Sequence, residues 1–137
     1  MTDEEADKKR TVLFVCTHNS GRSQMAEAFF NQLAGEKARA VSAGTDPDSA
    51  VQPAVVQVMR ELGIDLSNQR PKPLSTDLMD QAGRVITMGC GAEAGCPATA
   101  VEPEEWELQD PKGKTLDRVR QIRDEIRLKV VDLLRDM

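Results

Sequence analysis

Apolar and polar positions change period several times along the chain, and each change predicts an element. Residues 11–15 are a continuous apolar run, as in a strand buried on both faces of a parallel sheet. Residues 22–34 put Met25, Phe29 and Leu33 on one helical stripe, with Gly35 as the stop. A short strand over 38–43 ends at Gly44, and the Asp- and Pro-rich stretch 45–49 reads as a loop. A second helix is predicted over 53–62, with Pro53 in its first turn, Val55, Met59 and Leu62 as its stripe, and Gly63 as its terminator. Residues 64–73 are irregular, since Pro71 and Pro73 exclude regular structure nearby. Residues 75–81 form a short helix capped by Ser75, with Leu78 and Met79 inward, and 84–88 form a third strand.

Residues 89–97 hold three glycines and no period, and read as a mobile loop. Residues 105–108 give a fourth, edge strand, and Asp110-Pro111-Lys112-Gly113 a turn. A last helix over 115–135 repeats Leu116, Val119, Ile122, Ile126, Val130 and Leu133 at three- and four-residue steps. Residues 1–10 alternate acidic and basic side chains without an apolar face, predicting a disordered, solvated tail ahead of a single domain over 11–137. The order predicts an α/β fold of three layers, a parallel sheet flanked by helices. Ligands of such folds bind outside the carboxyl ends of the strands, where the loops after the first and third strands lie. Chain order thus brings Cys90 and Cys96 to the same edge as Cys16.

Composition narrows the function. At 137 residues the chain has the length of one domain, and its net charge of −5 comes with no basic cluster of the density that nucleic acid requires. No apolar run approaches a bilayer span and the first thirty residues lack the order of a signal peptide, so neither a membrane nor a secretory role is expected, and the cytoplasm is the expected location. Three cysteines, an odd number, do not make a disulfide framework and suggest redox or metal chemistry.

The chemistry gathers in Cys16-Thr17-His18-Asn19-Ser20-Gly21-Arg22-Ser23, between the first strand and the first helix. Loop N–H groups and the positive end of a helix face one small concavity there, built to hold a tetrahedral oxyanion. Cys16 supplies a nucleophile that local positive potential can keep as a thiolate, and Arg22 a fork matched to two oxygens. Thr17, His18, Asn19, Ser20, Gly21, Arg22 and Ser23 form the cradle. A buried, inert cysteine is the plain alternative for Cys16, but the polar small-residue loop after it is poor core material. Zinc held by the three cysteines and His18 is a rival that leaves Arg22 without a purpose. Asp110, ahead of Pro111, reads either as a turn-initiating residue or as a general acid whose carboxyl is desolvated near the anion.

The thiol count separates two reactions. A thiol attacking phosphorus needs only water to finish the hydrolysis. A thiol adduct of arsenic(V) can instead be reduced, and the two electrons come from two thiols becoming one disulfide. One cysteine in the cradle and two in a flexible loop favour reduction.

Cys16-x5-Arg22-Ser23 after an apolar strand, Ser42-Ala43-Gly44, the paired loop cysteines and Asp110-Pro111 together resemble the low-molecular-weight tyrosine phosphatase superfamily. Within it, the chain is similar to the arsenate reductase branch coupled to thioredoxin or a similar thiol system. The resemblance implies a four-stranded parallel sheet and reduction of arsenate to arsenite in arsenic detoxification. Cys16 would be the nucleophile, Arg22 the anion clamp, Ser23 a support for the thiolate and Asp110 the acid. Cys90 would attack the Cys16 adduct, and Cys96 would pass the resulting disulfide to thioredoxin or a glutaredoxin-like reductant. Phosphate and sulfate would compete as anions, and a monomer without a tightly bound cofactor is expected. Some relatives bind potassium beside the cradle; the matching positions are Asn19, Glu27, Ser42 and Asp65, all oxygen-bearing as a hard cation requires, though the same four can simply hydrogen-bond the loop.

Several features depart from the relatives. Gln24 stands where phosphatases carry Pro, and the chain has no Tyr to flank a phosphotyrosine ring. Cys90 follows Gly89, one position later than usual after the strand, so Cys90-x5-Cys96 is one residue short. Gly21 stands where some relatives carry a further cysteine. A phosphatase of phosphate esters, an arsenate–thiol transferase using a low-molecular-weight thiol, and a redox-sensing or anion-binding regulator remain the alternatives.

Overall fold

Every residue of the first strand, β1 (Thr11–Cys16), is buried, as the apolar run requires of a strand covered on both faces. The computed structural model describes residues 3–89 and 103–137. β1 pairs in parallel with β2 (Arg39–Gly44) on one side and β3 (Arg84–Thr87) on the other, and β3 pairs in parallel with β4 (Glu104–Glu105). The four-stranded sheet runs in the order β2-β1-β3-β4.

The larger core lies on one face, where Phe14 and Ile86 meet α2 (Arg22–Ala34), α3 (Pro53–Arg60) and α5 (Leu116–Asp136). Trp106 packs there against Phe14, ring centroids 5.6 Å apart. Arg123 of α5 is buried and donates to the Val58 carbonyl at 2.9 Å, satisfying an orphan acceptor in the last turn of α3, and to Glu61 Oε1 at 2.9 Å. The opposite face is thinner. Leu13, Val15, Ala43 and Val85 meet α4 (Thr76–Gln81), whose first turn is capped by the Ser75 hydroxyl accepting from Leu78 N. Among the described residues, no helix is long and apolar enough to cross a membrane.

Four details differ from the sequence expectations. Residues expected as a solvated tail include α1 (Asp3–Lys9), whose last turn carries Lys8 and Lys9, the charge the helix dipole favours there. Its C-terminal end is tied down by Thr11 Oγ1 donating to the Asp7 carbonyl at 2.6 Å. Leu33 is 44% exposed, because the buried faces of α2 run Met25–Phe29 and Ala26–Phe30–Ala34 and turn away from it. Leu62 is 39% exposed, because α3 ends at Arg60 and the turn into Gly63 (φ 79°) carries Leu62 off the helical stripe. β4 begins one residue early and stops at Glu105. After Trp106 N donates to the Thr87 carbonyl at 2.8 Å, the chain leaves the sheet for the cradle.

Candidate active site

Cys16 is the last residue of β1 and Arg22 the first of α2, so the five residues between them must reverse the chain over a very short span. Asn19 takes the left-handed conformation that this demands (φ 50°), and is the one non-glycine residue to do so among those described. The second strand and its following loop hold the outside of the turn. Thr45, Asp46, Asp48 and Gln52 donate their backbone N–H groups to the carbonyls of Cys16, Thr17, His18 and Ser20, at 2.8–3.2 Å. With those carbonyls engaged outward, the loop's N–H groups are the ones left to meet an anion. The N-terminus of α2 adds its own, since Gly21 offers no side-chain cap.

The sulfur is buried and well provided with partners. Asn19 N donates to Cys16 Sγ at 3.3 Å, and Ser23 Oγ lies 2.8 Å from it. Asn19 Nδ2 in turn donates to Ser23 Oγ at 2.7 Å. Hydrogen bonds of this kind stabilise a thiolate over a thiol.

Arg22 is buried beneath the 108–110 segment, where Nη1 donates to the Leu108 carbonyl at 3.2 Å and Nη2 lies 3.9 Å from Asp110 Oδ2. Asp110 is brought to the cradle, but its side chain is 41% exposed and Oδ1 accepts from Lys112 N at 3.0 Å, so the desolvated carboxyl expected of it is not what this conformation holds. Pro111 rests on Gly21. A Cβ at Gly21 would stand 2.8 Å from Pro111 Cγ, which leaves no space for the cysteine some relatives carry. His18 Nδ1 lies 2.9 Å from the Asp46 carbonyl, an acceptor only, so the proton is assigned to Nδ1. Cys90 and Cys96 lie outside the described residues.

Several contributors were not singled out from the sequence. Asp48 Oδ2 accepts from Ser20 Oγ at 2.8 Å, and Gln52 Nε2 donates to the same hydroxyl at 3.3 Å. Gly44, quoted from the sequence within Ser42-Ala43-Gly44 but without a role, lets the cradle approach β2, because a Cβ there would sit 2.7 Å from the Thr17 carbonyl oxygen and 2.9 Å from Asn19 N. Gly89, in the left-handed region (φ 77°), does the same for Arg22: its Cβ would stand 2.0 Å from Nη1. Only chemistry-bearing motifs stood out in the sequence, and these residues act through shape or across long separations.

Gly89→Ala is therefore expected to raise the KM for the bound oxyanion about tenfold by pushing the guanidinium aside. Its stability cost is confined to about 1 kcal/mol for the left-handed backbone. Steady-state kinetics beside thermal unfolding check this; a large loss of Tm with an unchanged KM would refute it.

The four positions matched to a potassium site fit it unevenly. Ser42 is buried beside Glu27, whose carboxyl burial pushes above its usual range, with the nearby Lys72 ammonium and hydrogen bonding from Ser42 partly offsetting that. Asn19 Oδ1, however, already accepts from Gln24 Nε2 at 3.0 Å and Lys72 N at 2.9 Å, filling both lone pairs. Asp65 is exposed and accepts from Ser67 N at 2.9 Å. The set does not fit a resident ion as a whole, and no part of the chemistry is routed through one.

Known proteins share this architecture. The chain is 39% identical over 133 residues to a putative arsenate reductase of Halobacterium salinarum, with 93% of each covered. A thioredoxin-dependent arsenate reductase of Corynebacterium glutamicum superposes with a TM-score of 0.78 at 34% identity; the match takes in 97% of this chain and 63% of that one. An arsenate reductase in its phosphate-binding state superposes at 0.79 with 33% identity, covering 93% of this chain and 98% of the other. Residues 11–137 match the model of the low molecular weight phosphotyrosine protein phosphatases. From the cradle to the last helix, the chain belongs to the low molecular weight phosphotyrosine protein phosphatase family.

Proposed function

We infer that this chain is an arsenate reductase, taking electrons from its own thiols and then from thioredoxin or a similar dithiol protein. The observation that carries the reading is the near full-length match to arsenate reductases in a chain that pairs the Cys16 cradle with two further cysteines. Cys16 thiolate attacks arsenic(V), an As–O bond breaks, and the oxygen leaves as water once protonated, with Asp110 at hand as the donor. Cys90 thiolate then attacks Cys16 sulfur. The S–S bond forms as the S–As bond breaks, and its electron pair stays on arsenic, which leaves as arsenite. Cys96 attacks Cys90, returning Cys16 to its thiolate, and the Cys90–Cys96 disulfide is reduced by the external dithiol.

The cradle's scale and charge suit phosphate and sulfate as competitors. The chain has no Tyr to wall a phosphotyrosine ring. Following NADPH oxidation with arsenate, thioredoxin and thioredoxin reductase tests the reading, with Cys16→Ser as the blank. Arsenate-dependent oxidation is the expected result. Turnover only with a low-molecular-weight thiol and glutaredoxin would overturn the donor while keeping the reaction. Hydrolysis of phosphate esters unaffected by loss of Cys90 and Cys96, with no arsenate-dependent oxidation, would overturn the reductase.

A further inference from the structure

Gln24 is wholly buried in the first turn of α2, directly after Ser23, and no step above uses it. A buried glutamine amide can make four hydrogen bonds. This one makes two, both from Nε2: to Asn19 Oδ1 at 3.0 Å and to the Arg70 carbonyl at 3.2 Å. Its Oε1 is buried without a partner, an arrangement that costs about 1–3 kcal/mol. A methionine or leucine would fill the same space without that penalty. Packing alone does not explain an amide here.

Two backbone groups settle which way both amides point. The Arg70 carbonyl can only accept, so the end of Gln24 that reaches it is the NH2. Lys72 N can only donate, so the end of Asn19 that it meets at 2.9 Å is Oδ1. Gln24 donates to that same oxygen, and Asn19 Nδ2 is thereby turned to Ser23 Oγ. Ser23, having accepted from Asn19, has its own proton left for the sulfur 2.8 Å away. Were Asn19 to flip, Oδ1 would take the Ser23 proton and the sulfur would lose its donor.

We propose that Gln24 is a positioning residue for the nucleophile: by clamping the Asn19 amide between the 70–72 segment and the cradle, it keeps Ser23 a donor to Cys16. This rests on the reading of Cys16 as nucleophile but not on arsenate being its target. The titratable and charged groups around the cradle stay the same in a neutral Gln24 variant. These are His18 and Asp48, Arg22 and Asp110, and Glu27 and Lys72.

The test measures iodoacetamide alkylation across pH in the full chain carrying Cys90→Ser and Cys96→Ser, so that Cys16 is the remaining thiol. Adding Gln24→Met is expected to slow alkylation at pH 6 by about fivefold while leaving the high-pH plateau within about twofold, because the thiolate fraction falls and its access does not. Gln24→Leu should behave alike, and serves if the methionine variant does not fold. With Ser23→Ala already present, either substitution should lose its effect on the pH profile. An unchanged profile with only an altered Tm would reduce Gln24 to packing, and an effect that persists without the Ser23 hydroxyl would overturn the relay. The readout does not involve arsenate. A moved profile there, with no arsenate reduction by the chain that keeps all three cysteines, would sink the reductase and leave this proposal standing, and the converse result would do the opposite.

Discussion

Replacing Arg22 by lysine is expected to lower kcat/KM for arsenate by about 10²–10³-fold, the scale of losing a preorganised donor to the reacting oxyanion. Charge is conserved in this change, so the loss must come from geometry. The guanidinium is held from three sides: the first turn of α2 carries it, the Leu108 carbonyl accepts from Nη1 at 3.2 Å, and Gly89 leaves the space that Nη1 occupies. A planar fork fixed in this way can give two parallel N–H donors to a tetrahedral anion, which a single ammonium cannot. Lysine would also lack the reach and the second donor to keep the Leu108 carbonyl satisfied. The 108–110 segment, with Asp110, would then lose part of what positions it over the cradle. The inhibition constant of phosphate should rise together with the KM for arsenate, because the same fork serves both anions. A loss under about fivefold in initial rates would show that positive charge alone suffices there.

How much of this was legible beforehand depends on how far apart in the chain the partners lie. The cradle is contiguous, and its chemistry could be read from Cys16 to Ser23 because strand, loop and helix are all local. The bounds of α2 matched the apolar period and Gly35 to the residue, and α5 differed by one at each end. Leu33 and Leu62 were misjudged because three- and four-residue steps do not say where a helix stops facing the sheet. The second layer of the site was mostly hidden, since its partners are distant in sequence. Arg22 meets Leu108 across a separation of 86 residues, and Asn19 meets Lys72 across 53. The sequence reads Gly89 as the first residue of a mobile loop. In the structure its missing Cβ is the space into which Arg22 projects. α1 lacks an apolar stripe, so its basic last turn and its tie to Thr11 gave no periodic signal.

The two loop cysteines should fail in different ways, and the difference follows from counting electrons. In the proposed relay Cys90 is the thiol that accepts the next bond, so without it the two electrons that arsenic needs do not leave sulfur. Cys90→Ser is expected to cut thioredoxin-coupled NADPH oxidation by at least about 10³-fold, as removal of any member of a covalent relay does. Arsenate should still protect Cys16 from alkylation, because the cradle and its first attack are intact. Without Cys96, both electrons are in place for one cycle. Cys96→Ser should release one arsenite per chain with no reductant present and then stop as a Cys16–Cys90 disulfide, seen as a mass lower by two hydrogens. Thioredoxin can restart it only by reaching a bond whose Cys16 end is buried at the foot of the cradle, so its steady rate should be far below that of the parent chain. Cys90→Ser turning over at the parent rate would mean that Cys96 or an external thiol closes the first disulfide. The one-residue shift that places Cys90 after Gly89 would then have moved the relay to a different sulfur.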